Sequence, residues 1–430
     1  MSDSRRSLSL GVIALTLALA YGVWYAYSVI LVALLHEYGW SRSVLAGAFS
    51  IFTLVHGGVN PLVGALCDRA RPLRLMAGGG VALGLVLWAD SYISSPWQLY
   101  LGFGVFTALA VAAAGWVPAL IQVQRDFQDK LGLALGIVSS GVGVGMLLVV
   151  PLTQLLIDAY GWRTAFRVLA AVCVLWIVPS SLLLLRRPPV RRRAPQTAAA
   201  AARVAAPEAT LAGAMRGAPF WLLVSAFFFG NICSQTLHVH QVAYLVDQGV
   251  SALVAASVVG VVGGASIVAK TGGGWLSDRI EREFVYVAGI VIMVGAVAAL
   301  AALAGPLAAR AGAPAPWAIY GYAVLLGVGY SVTASLIPAM VSDRFSGPHF
   351  GTIVGAGLFG SAAGSALGPW MAGYLFDHTG SYMLAFAIAA GCGVAAGAAG
   401  WHAHTLRVRG AQEAAALPLA SSASQRSSLP

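Results

Sequence analysis

The sequence predicts an all-α membrane protein of twelve transmembrane helices, arranged as two pseudo-symmetric halves of six, and three observations carry that expectation. The first is polarity: of 430 residues 59 % are hydrophobic and 9 % charged, with a mean hydropathy of +0.82, too little polar surface to cover a water-soluble domain of that size. The second is the recurrence of apolar stretches of about 20 residues, the length a helix needs to cross about 30 Å of hydrocarbon. The third is an internal repeat, in which GALCDR at Gly64 to Arg69 returns as GWLSDR at Gly274 to Arg279, 210 positions later. Helices follow because lipid satisfies no backbone polar group, and the 51 glycines favour close helix approach. An outer-membrane barrel would show short alternating strands instead.

In chain order, Ser4, Arg5, Arg6, Ser7 and Leu8 loosely resemble a twin-arginine export signal, with Ala18, Leu19 and Ala20 as a cleavage site. The apolar run continues to Leu35, too long for a signal-peptide core, so an uncleaved first span is expected. Spans are placed at 10–34, 44–66, 75–93, 98–121, 132–154 and 164–185, then at 219–245, 252–275, 284–304, 317–341, 350–373 and 382–404. Residues 1–185 thus form one half and 218–406 the other. Between them, 186–217 opens with RRPPVRRRAPQ and continues Ala-rich, which reads as a flexible basic linker, and the Ser- and Ala-rich tail 407–430 is expected to be disordered.

Charge then orients the chain. With both termini cytoplasmic, twenty of the 25 basic residues fall in cytoplasmic segments, Arg42, Arg163, Arg167 and Arg310 lie outside, and Lys270 lies within a span. The net charge of +10 is therefore a topology signal that needs no nucleic-acid partner, and a monomer in the cell (inner) membrane is expected. Cys67, Cys173, Cys233 and Cys392 are scattered singly, suggesting neither disulfides nor metal pairs, and no cofactor is called for.

The repeat extends beyond its first match. The same offset pairs Gly39 with Gly249 and Ser41 with Ser251, and further on, at an offset of 220, Pro118 with Ala119 pairs with Pro338 and Ala339. Later, Pro151, Asp158, Gly161 and Phe166 find partners in Pro369, Asp377, Gly380 and Phe386, the offset drifting to about 220 through loop insertions. Two homologous six-span halves imply a transporter with a site near the midplane.

At these residues the chain resembles the major facilitator superfamily over essentially its whole length. GALCDRARPLR matches that family's loop motif between spans two and three, and GWLSDRIER repeats it in the second half. The resemblance implies that Asp68 with Arg69, and Asp278 with Arg279, latch one conformational state by capping a helix or pairing with Arg. Within the superfamily the segment FQDKLGLALGIVSSGVGVG, Phe127 to Gly145, and VAKTGGG, Val268 to Gly274, resemble the monocarboxylate transporters and the oxalate/formate antiporter. Lys270 occupies the place of an arginine that binds substrate carboxylate in those families. Three departures stand beside the likeness: Ser266 replaces an aspartate, the first-span lysine has no counterpart, and Val354 to Trp370 holds no charge. A single fixed cation suits a monoanion better than a dianion.

Lys270 is the leading site residue on its own merits, because a lysine in mid-bilayer costs about 2.5–3.5 kcal/mol on insertion scales. The alternative is that it snorkels to the cytoplasmic surface along its alkyl stem. Gly264, Ala269, Lys270 and Thr271 nearly spell a phosphate-binding loop, but the membrane-apolar flanks exclude the strand and soluble helix such a loop needs. Under the 210 offset Lys270 corresponds to Asn60 and Ser266 to His56, each pair one turn apart on one face. Lys270, Asn60, Tyr25, Tyr27 and His238 are therefore expected to bind substrate, with His56 or His238 as proton-coupling candidates. The expected function is transport of small organic anions by alternating access, a proton-coupled monocarboxylate symport first and an anion exchange of the oxalate/formate type as the alternative. A drug/proton exporter fits less well, since no mid-membrane acid is available for a cation. A transport-dead sensor would advertise a soluble signalling domain. No nucleophile, base and orienter cluster for catalysis, so an enzyme is not expected.

Overall fold

The structure, a computed structural model, describes residues 3–127, 131–185, 211–277, 279–303, 315–342, 344–345 and 350–426. Its first half comprises α1 (Asp3–Tyr38), α2 (Arg42–Arg69), α3 (Pro72–Asp90), α4 (Pro96–Asp126) and a continuous stretch Leu131–Leu185 that turns at Gly161 into α5 (131–160) and α6 (162–185). The second comprises α7 (Ala218–Asp247), α8 (Ala252–Ser277), α9 (Arg282–Ala302), α10 (Pro316–Ser342), α11 (Phe350–Thr379) and α12 (Met383–Arg426). Nine helices are long and apolar enough to cross a membrane among the described residues; splitting the one at Gly161 and adding α10 and α11 gives the expected twelve.

Two expectations about the connecting segments change. Residues 211–216 of the expected linker form a short helix, while 186–210 lie outside the described residues. The tail expected to be disordered instead continues α12 to Arg426, and AQEAAA, at 411–416, is a run of strong helix formers within it.

The two halves repeat in backbone conformation. Gly39, Gly161, Gly249 and Gly380 are the positive-φ residues among those described, at 64°, 78°, 81° and 69°, and they occupy the α1–α2, α5–α6, α7–α8 and α11–α12 turns. A side chain is strained in that region, so the paired glycines mark equivalent sharp reversals.

Packing inside each half depends on small residues. At Gly145 a Cβ would lie 2.2 Å from the Ala18 carbonyl oxygen, so α5 rides directly on the α1 backbone; at Gly364 it would lie 2.1 Å from the Phe228 oxygen, which sets α11 on α7 in the same way. In α4 the stretch Tyr100–Thr107 is π-helical. It surrounds the buried carboxylate of Asp90, which accepts a hydrogen bond from Thr107 Oγ1 at 3.1 Å.

Between the halves α2 packs on α11 and α5 on α8. A Cβ on Gly57 would meet that of Ala362 at 2.7 Å, Ser50 Oγ donates to the Ala366 carbonyl at 2.5 Å, and Gly143 and Gly263 are equally crowded by each other's backbones. Toward the end of the bundle that carries Arg69 and Arg279, hereafter the basic end, the contact is lost. Gly136 in α5, Gly272 in α8 and Gly355 in α11 are exposed, and a Cβ there would meet nothing within 4 Å. The described backbones of the two halves press on each other at the end opposite and do not at these three glycines of the basic end.

Candidate functional site

Where the halves meet, four helices bring polar groups together inside the apolar bundle. Tyr25 of α1 and Tyr330 of α10 share a hydrogen bond between their hydroxyls at 2.8 Å, across the interface. The His238 ring of α7 lies against both, 5.4 Å from the Tyr25 ring and 4.7 Å from that of Tyr330. His238 Nδ1 is 2.8 Å from the Ser234 carbonyl oxygen. A carbonyl only accepts, so Nδ1 carries the proton and Nε2 is left with its lone pair, buried without a partner. Lys270 is half-buried on α8, which packs against α7 in the same half. No acidic side chain pairs with Lys270 among the described residues.

The other expected residues fall elsewhere. Tyr27 does not join the group: its hydroxyl donates to the Leu45 carbonyl at 2.5 Å and its ring stacks on Phe103 at 4.3 Å, inside the first half. Two positions along a helix turn a side chain by about 200°, so Tyr25 and Tyr27 point to opposite faces. His56 packs edge-on against Trp24 at 4.8 Å and its Nε2 also lacks a partner. Trp24 leads on to Tyr25, with ring centroids 6.3 Å apart, so His56 sits at the edge of the site behind an aromatic wall. Asn60 is half-buried one turn nearer the basic end and makes no hydrogen bond with Lys270.

At the basic end Arg69 is exposed and Arg279 lies over the Trp275 ring at 3.6 Å, within its own half. The Asp68 side chain and Asp278 lie outside the described residues. Tyr330, which closes the group from the second half, was not expected; its only sequence signal is a tyrosine following the glycine-spaced run GVG in an apolar span.

The Major Facilitator Superfamily profile matches residues 13–313 and again 273–422, nearly the whole chain. The chain belongs to that superfamily. Monocarboxylate transporter 11 of Mus musculus is 29 % identical over 385 residues, covering 86 % of this chain and 81 % of its own length. Monocarboxylate transporter 13 of Rattus norvegicus is 26 % identical over 379 residues, covering 86 % and 82 %, and monocarboxylate transporter 4 of the same species 27 % over 386, covering 86 % and 77 %. Among solved structures, a bacterial homologue of the human lysosomal transporter Spinster, inward-facing and occupied, superposes with a TM-score of 0.69 at 17 % identity, covering 94 % of this chain and 98 % of that one. This member of the superfamily is a multi-pass membrane transporter and not an enzyme.

Proposed function

We propose that this superfamily member is a secondary carrier of small organic monoanions, a proton-coupled monocarboxylate symporter working by alternating access. The observation that carries the proposal is Lys270: a half-buried lysine inside the bundle with no acidic partner among the described residues. Burying an uncompensated charge is costly, and a bound carboxylate supplies the missing countercharge. The names of the monocarboxylate transporters that share its length favour the same class of cargo.

In this reading the substrate enters between the basic ends, which lie in the cytoplasm with both termini. Its carboxylate pairs with Lys270, and the Tyr25–Tyr330 pair roofs the site on the far side. The state described is therefore inward-facing. Rocking of the halves about the site separates the tyrosines and opens the opposite end. His238, whose buried Nε2 has no partner, is placed to accept the proton that travels with the anion, and His56 is a second acceptor behind Trp24. Arg69, Arg279 and the acidic groups of their motifs would close the basic end in the outward-facing state.

Uptake of labelled lactate by proteoliposomes, with and without an imposed inward proton gradient, tests the proposal. Gradient-driven accumulation is expected. Uptake that ignores the proton gradient but follows preloaded formate or oxalate would replace symport with exchange.

A further inference from the structure

The end opposite the basic one holds a cluster that the transport site does not use, and the internal repeat shows what is unusual about it. In the first half, Glu37 at the end of α1 is neutralised within its own half: Arg163 of α6 reaches its Oε1 at 2.6 Å, and Trp162 Nε1 donates to its Oε2 at 2.5 Å. The 210 offset takes Glu37 to Asp247 at the end of α7, and the offset of 219 that pairs Gly161 with Gly380 takes Arg163 to Tyr382. The second half has kept the carboxylate and lost its arginine.

The cation comes from the other half. Arg42, the first residue of α2, places Nη2 at 2.8 Å from each oxygen of Asp247 and donates through Nη1 to the Tyr382 hydroxyl at 2.6 Å. Its guanidinium lies 3.9 Å above the centre of the Phe376 ring. Tyr382 also meets His240 Nδ1 at 2.9 Å, and His240 Nε2 is 2.8 Å from the Pro369 carbonyl. Arg42 is 7 % exposed, so this is a buried cation rather than a surface pair.

A second contact crosses the same boundary. Asp377 at the end of α11 accepts the backbone N–H of Arg42 on Oδ1 at 2.9 Å and that of Ser43 on Oδ2 at 2.8 Å, so one half caps a helix of the other and places negative charge at the positive end of its dipole. Its repeat partner Asp158 makes no such cap: it accepts from Gln154 Nε2 at 2.7 Å within α5, and position 252, equivalent to Arg42, is alanine. The device is built on one side of the pseudo-twofold only.

We infer that Arg42, with Asp247, Asp377 and Tyr382, is the latch that holds the outer face shut. Parting α2 from α11 strands three groups at once: Asp247 without a cation, Arg42 without its anion and aromatic seat, and the first N–H groups of α2 without an acceptor. The latch therefore biases the carrier toward the state open at the basic end, independently of which anion it carries.

Spin labels on cysteines at Ser94, in the α3–α4 turn, and at Met383, at the start of α12, report the separation of the halves at this end by pulsed electron resonance, in chain with Cys392→Ala. The unaltered latch should give one short-distance population. Asp377→Asn and Arg42→Gln should each add a long-distance population, raising the open-to-closed ratio about tenfold, as expected from losing one or more charge-assisted hydrogen bonds. Arg42→Lys, which keeps the charge but not the fork, should produce a smaller rise. Monodisperse Asp377→Asn and Arg42→Gln proteins with the parent's distance distribution would overturn the latch, as would a long-distance population that appears equally in a Glu37→Gln control. Failure of lactate transport in the unaltered protein would touch the proposed cargo and leave this measurement intact.

Discussion

Replacing Gly145 by alanine tests the way α5 is set against α1, on which the position of Tyr25 depends. The added Cβ would fall 2.2 Å from the Ala18 carbonyl oxygen and 3.0 Å from both the Ala18 carbonyl carbon and the Gly22 nitrogen. All three are backbone atoms, so no side chain can rotate away and the helices must part by about 1 Å to restore ordinary contact. Overpacking of this kind costs about 1–3 kcal/mol. Alanine's better helix propensity offsets about 1 kcal/mol at most. Gly136, two and a half turns earlier on the same helix, is the internal control, because a Cβ there would meet nothing within 4 Å. In detergent-purified protein, thermal unfolding should therefore shift down by several degrees for Gly145→Ala and stay level or rise for Gly136→Ala. Gly364→Ala, facing the Phe228 oxygen at 2.1 Å, should behave like Gly145→Ala. Equal melting of Gly145→Ala and Gly136→Ala would refute the close α1–α5 contact.

Two further outcomes follow from the site. Tyr25→Phe and Tyr330→Phe each delete one partner of the same hydrogen bond, so each should lower stability by about 0.5–1.5 kcal/mol and the double variant by less than their sum; strict additivity in a double-mutant cycle would show that the hydroxyls do not interact. Replacing both His56 and His238 with Gln should remove the dependence of uptake on the proton gradient while exchange of preloaded substrate survives, and an unchanged pH profile would exclude both as proton acceptors.

Much of the architecture was legible because hydrocarbon imposes a simple rule on helix length, and because the turn glycines of one half recur in the other. Lys270 was legible for a related reason, since a lone lysine in an apolar span needs a reason to be there. Faces were harder to read. The spacing of Tyr25 and Tyr27 says that they diverge, but nothing local says which one meets the other half, and Tyr330 in an apolar run looks like any packing aromatic. Arg42 counted as one more loop charge, yet its partners Asp247, Asp377 and Tyr382 are brought to it only by the packing of the two halves. The disorder expected after Arg407 rested on Ser and Ala content, but alanine is also a strong helix former, and α12 runs on to Arg426.

In the proposed function Lys270 supplies the charge that binds the substrate carboxylate. Counterflow of labelled lactate into proteoliposomes preloaded with unlabelled lactate needs no proton gradient and measures that step most directly. Native protein and Lys270→Arg should exchange, while Lys270→Gln, reconstituted to the same level, should lose the charge-assisted contact and with it about tenfold or more of apparent affinity. Exchange by Lys270→Gln at native rate and affinity would rule Lys270 out as the carboxylate's partner.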